Sequence, residues 1–129
     1  MNKDAGAGLA KLAAASAKKA AAGLYVSFPC RVISFDEATC MATVQPLLRI
    51  TEEDPAPIQN VPALGHKYRT EGGTVQVYRP VLQPGDMVLV VCADREIKNT
   101  LSGVTASPDT DRKHSKNDAV IVGVFSCSL

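Results

Sequence analysis

The chain has 129 residues, a formal net charge of +1, 46% hydrophobic and 21% charged residues. That length holds one modest core and excludes two independent ones, the composition excludes a disordered polyelectrolyte, and the near-zero charge excludes a strongly basic chain whose sign alone would name its partner. Aromatic residues are three Tyr and three Phe with no Trp, few for a protein that stacks bases or sugars, and the remaining apolar content is Val, Leu, Ile and Ala.

Residues 1–23, MNKDAGAGLAKLAAASAKKAAAG, are mostly Ala and Lys and form a unit distinct from residues 24–129. Lys11, Lys18 and Lys19 interrupt the apolar centre that a secretory signal needs, a transit peptide would favour Arg, and no transmembrane stretch exists. Ala is the best helix former, so a helix is predicted over 4–22, with Asp4 and the Lys18–Lys19 pair suiting its dipole and Gly23 at its C-terminal stop. Its only large apolar side chains are Leu9 and Leu12, so alone it is marginal in water. It either frays or packs against identical helices or a partner.

From Tyr25 onward the pattern becomes short β-like runs separated by turn residues. YVSFPCRVISF and TCMATVQPLLRI read as a hairpin turning at residues 36–38, with Pro29 and Pro46 at edges, bulges or strand ends. This register sets Cys40 opposite Ser34 and Cys30 opposite Val44. A long proline-rich connection follows, in which IQNVPAL is a short strand and His66 lies in a loop. TVQVYRPVL is a fourth strand, Gln83–Asp86 a tight turn, and MVLVVCA a fifth strand. DREIKNTLSG reads as one or two helical turns capped by Asp94, with Glu96 and Lys98 exposed and Gly103 as terminator. A polar loop and a final strand, AVIVGVF, complete the chain. The expected class is all-β, a small barrel with one short helix, preceded by the Ala-rich helix.

Candidate chemistry is sparse. Cys30, Cys40, Cys92 and Cys127 lack the spacing of a metal site, and the first three read as small buried hydrophobes in strands. Cys127, in the polar SCSL end, is accessible for a disulfide to another chain or else stays free. His66 and His114 accompany no nucleophile elbow or phosphate-cradling glycine motif. The carboxylates Glu52, Glu53 and Asp54, and Asp109 with Asp111, read as solvated clusters without an apolar pocket to raise a pKa. Lys67, Arg69, Arg79, Arg112, Lys113 and Lys116, with Tyr68 and Tyr78 among them, could suit a single nucleic-acid strand, but acidic neighbours nearly cancel their charge. No enzyme, metal or cofactor is expected.

In order along the chain, RVISFDEATCMATVQPLL, PAPIQNVPAL, PGDMVLVVCADREIKN and RKHSKNDAVIVGVF make a set that resembles the N-terminal OB-fold domain of phage baseplate central spike proteins, the membrane-piercing or cell-puncturing family, over roughly residues 28–125. Where that family often carries Trp near Asn99 or Thr100, this chain has none. The resemblance implies a five-stranded OB-fold barrel in which Pro84, Gly85 and Asp86 form a structural turn, Asp94 and Arg95 cap a helix closing the barrel end, and His114 and Asp118 brace a loop. It also implies a homotrimer on the tail axis, assembled in the host cytoplasm and carried in the virion baseplate. Because the sequence stops at Leu129, the family's β-helix needle is expected to be absent, so the chain would join a tail hub protein to a separate spike-tip protein. Neither nucleic acid nor stable membrane insertion is expected. A single-strand nucleic-acid-binding OB module and a peptidoglycan-degrading tail component are the alternatives.

Overall fold

The computed structural model describes residues 3–129. An N-terminal helix α1 (Lys3–Ala22) precedes seven strands: β1 (Ser27–Asp36), β2 (Met41–Pro46), β3 (Ile58–Pro62), β4 (His66–Arg69), β5 (Val75–Tyr78), β6 (Met87–Cys92) and β7 (Ala119–Val124). Gly23 follows α1 in a turn, as its composition predicts, and every side chain described along the helix, Gly6 to Lys19, is exposed. No described helix is long and apolar enough to cross a membrane.

Five strands form a curled antiparallel half-barrel sheet in the order β3-β2-β1-β6-β7. Its outer strands are stitched together where Ala63 bridges Ile121 and the Leu64 N–H donates to the Ile121 carbonyl at 3.1 Å. The core is chiefly Val, which fits pleated surfaces because its branched side chain is stiff: Val32, Val44, Val61, Val88 and Val90 are fully enclosed together with Cys30. The mostly β class expected from the sequence is therefore present, with β1, β2, β3, β6 and β7 as the sheet.

The chain departs from the sequence reading at three places. The β1–β2 turn runs through Cys40, which takes a φ of 55° and is half-exposed rather than buried in a strand. Cys30 consequently faces Pro46 and Ser34 faces Thr43. His66 belongs to a strand, and TVQVYRPVL does not enter the barrel: β4 and β5 pair only with each other, as a separate hairpin. Residues 94–103 hold a single 3-10 turn, Lys98–Thr100, preceded by Ile97 with no side-chain cap, so Asp94 caps nothing. Pro46 ends β2 as expected, and Pro29 sits where β2 has already ended, its carbonyl accepting from Leu47 at 3.0 Å.

The turn before β6 matches its sequence. Gly85 has φ +96°, the Asp86 N–H donates to the Gln83 carbonyl at 3.0 Å, and the Asp86 carboxylate accepts from the Gln83 N–H at 2.9 Å. The turn also docks on β1: Gly85 N–H donates to the Val32 carbonyl and Val32 N–H to the Asp86 carbonyl, each at 2.8 Å. A Cβ on Gly85 would meet nothing within 4 Å, so the cost of a side chain there is conformational. Gly85→Val is expected to destabilise the protein by about 1–3 kcal/mol and Pro84→Ala by less. Urea denaturation of the three proteins checks it, and equal midpoints for Gly85→Val and wild type would contradict it.

Candidate functional site

The long connection between β6 and β7, an excursion from the sheet over residues 93–118, is organised by buried charge. Glu96 and Asp118 are only 4% and 2% exposed. Arg112 lies between them: its Nε and Nη2 donate to the two oxygens of Asp118 at 2.8 and 2.9 Å, and its Nη1 reaches Glu96 Oε2 at 3.0 Å. Glu96 also accepts from the Asp109 N–H at 2.8 Å and the Thr110 hydroxyl at 3.0 Å, and Asp118 from the Ile97 N–H at 3.3 Å. The Asp118 hydrogen bonds hold the Arg112 guanidinium above its ordinary pKa. Two carboxylates out of water need such a partner, and here both ends of the excursion are tied to one cation.

Glu96 is thus buried, not exposed. It follows a strand and precedes a polar loop, a setting that reads as a solvated helix face, and its partner lies far along the chain where no spacing rule connects them. The expected helix is replaced because residues 94–97 run toward this network, and Asp94 turns instead to Arg95 and to His114, whose Nε2 is 3.5 Å from its carboxylate. Arg95 forms an isolated bridge with Lys113. Asp118 fastens the excursion through Arg112.

His114 works mainly through its backbone. Its N–H donates to the Asp94 carbonyl at 3.3 Å, and its carbonyl accepts from Tyr25 at 2.7 Å. These bonds hold it at φ 44°, and they fix the start of the β domain, where the Tyr25 ring also meets Phe28 edge-on and lies beneath Lys116. On the exposed side of the excursion, Lys98 pairs with Asp109 at 3.0 Å and draws its carboxylate below the usual range, while Asp111 there, and Glu52 and Glu53 on the β2–β3 connection, are exposed. Among the described residues no group of three His, Cys, Asp or Glu converges as a metal site would require.

Three of the four cysteines fall into two chemical classes. Cys30 and Cys92 are buried, and burial pushes their thiols up to about 12 and about 11. Cys127 is exposed, in the 3-10 turn that follows β7, and all four are free.

Replacing Arg112 by Met would leave two buried carboxylates without their cation. The expected cost is roughly 2–5 kcal/mol, toward the lower end because the guanidinium is partly exposed. Urea unfolding at neutral pH measures it, and a loss within error of zero would contradict the role given to this network. The thiol classes predict a second outcome. Iodoacetamide at mildly alkaline pH should modify Cys127 in the folded protein and leave Cys30 and Cys92 until denaturant is added, because thiolate is the nucleophile. Peptide mapping by mass spectrometry tests this. A thiol whose folded pKa is raised contributes stability in full below its ordinary value of 9.0 and loses it as pH climbs toward 12, so the protein should weaken across that window.

No curated protein matches the sequence. A family model does, over residues 28–123, and the match begins with the first buried residue of β1 and ends within β7, so that it takes in all five strands of the sheet, the Pro84–Gly85–Asp86 turn and the braced excursion. The chain belongs to the family described as phage protein Gp138 N-terminal domain.

Proposed function

We propose that this protein is a structural part of a phage tail baseplate: three copies on the tail axis, joining a hub on one side to a cell-puncturing tip on the other. Its work is mechanical, passing the force of contraction through interfaces rather than through a catalysed bond change. Membership of a phage protein family supports the phage setting.

The observation that carries assembly is the outer face of β6 and β7. In β6, Val88, Val90 and Cys92 point into the core, and Met87, Leu89 and Val91 alternate with them on the outside. In β7, Ala119 and Ile121 point inward, Val120 and Val122 outward. Leu89, Val122, Gly123, Val124 and Phe125 line a shallow apolar groove. An antiparallel strand facing water on one side alternates apolar with polar residues, whereas strands covered on both sides are apolar throughout. These two strands have the second composition, which fits a wall packed against a neighbouring copy in a closed ring. The helix α1 supports the same reading from the other end, because a solitary Ala-rich helix with no packed face is marginal in water and its small side chains allow close approach by identical helices or a hub.

Two measurements test the proposal. Purified tails analysed by quantitative mass spectrometry should contain this chain at about three copies per particle; its absence would overturn the reading. Native mass spectrometry of the isolated protein should give a trimer, and Val122→Glu should convert it to a monomer with a thermal midpoint close to wild type, since Val122 is partly exposed in the single chain. A Val122→Glu protein that still forms the trimer would remove this wall from the interface.

A further inference from the structure

Among the described residues the β4–β5 hairpin is the one strand pair outside the sheet, and it has no cover. All eight of its strand residues are exposed. Its register sets His66 opposite Tyr78 and Tyr68 opposite Gln76 on one face, with Lys67 opposite Val77 and Arg69 opposite Val75 on the other. The aromatic face is consolidated within the hairpin: His66 stacks on Tyr68 at 5.8 Å between ring centres, and Tyr68 meets Tyr78 edge-on at 6.0 Å. The second face has nothing comparable. It offers two Val side chains more than half exposed, next to two cations that make no ion pair among the described residues. A lone two-stranded hairpin is marginal in water, so an uncovered ribbon with an apolar, basic face calls for a partner.

A surface of opposite character lies on the same chain. The β2–β3 connection carries Leu48 and Ile50, 53% and 84% exposed, followed by Glu52 and Glu53, which also make no ion pair among the described residues. Asp54 is engaged by Arg49. Apolar side chains beside unpaired anions thus match apolar side chains beside unpaired cations, and the contact is not made within one chain, where both segments are exposed.

We infer that the Lys67, Arg69, Val75, Val77 face of the hairpin docks on the Leu48–Glu53 segment of the next copy of this chain. Because the two surfaces differ, the contact is head-to-tail, the kind that closes a ring when the rotation allows. The inference deepens the assembly reading above and rests on it. Ion pairs at such a contact steer encounter and select register, and they weaken with salt.

Paired charge reversal tests it in the full-length protein. Lys67→Glu with Arg69→Glu, and separately Glu52→Lys with Glu53→Lys, should each raise the apparent dissociation constant of the assembly roughly tenfold or more in sedimentation experiments. Combining all four substitutions in one chain should restore assembly. Circular dichroism and thermal melting of each variant, expected to match wild type because all four residues are exposed, show that the fold is retained. If wild type assembles and both reversals assemble equally well, the hairpin contact is overturned and the assembly reading stands. If wild type is monomeric at every concentration, the assembly reading itself fails. Reversals that weaken assembly without rescue in the fourfold variant would exclude this pairing of surfaces. Salt-sensitive binding of a labelled single-stranded oligonucleotide, lost with Lys67→Glu and Arg69→Glu while assembly is unchanged, would assign the hairpin to nucleic acid instead.

Discussion

The sheet depends on the bend in β1. This strand is shared, its first half pairing with β6 and its second with β2, and its register to β2 shifts between Val32 and Ser34. An extra residue in one strand of an antiparallel pair increases the local twist and bends that strand. It also resets which side chains face inward: Phe28, Cys30 and Val32 are buried before the shift, and Phe35 packs against the core after it. Without the bend, one strand could not serve both β2 and β6 around a common core. The turn that precedes β6 bonds to Val32 in both directions at this same point, so the bend is fixed by a second element and not left to the strand alone.

Given the curled sheet, the chain must still cross from β6 to β7 through residues 93–118, most of them polar. Burying charged residues at the two ends of such an excursion, Glu96 and Asp118, requires that they be satisfied locally. Arg112 supplies this by bonding Asp118 at one end and Glu96 at the other. The result places Ala119 and Ile121 inward and leaves the outer face of β7 apolar. Core packing and the proposed ring wall are therefore two faces of the same two strands.

The surface divides by chemistry. The apolar wall of β6 and β7, the basic hairpin and the acidic β2–β3 segment are separate features, and the buried carboxylates of the excursion, Glu96 and Asp118, hold the fold. In the proposed assembly, contacts of this kind would transmit load without any group having to change its protonation state. In this reading the hydrophobic wall supplies most of the adhesion, and the charged pair sets which surface meets which.

Strand content, the Gly85 turn and the helical tendency of the first residues were legible in the sequence because each is a local property: β-branched runs, a Pro-Gly pair requiring positive φ, and an Ala-rich stretch. The resemblance over the β part was also legible, since it rests on the order of such signals. The β1–β2 register was not, because the turn length depended on whether Cys40 would accept a left-handed backbone, which composition does not reveal. Nor was the exclusion of β5 from the barrel, for its alternation of Val with polar residues is the same whether a strand joins a sheet or only its neighbour. Glu96 shows the limit most plainly. A carboxylate in a polar stretch reads as solvated, and only the tertiary structure, by bringing Arg112 and the Asp109 and Thr110 donors to it, decided that it would be buried, since the cost of desolvating a charge is offset by groups distant in sequence.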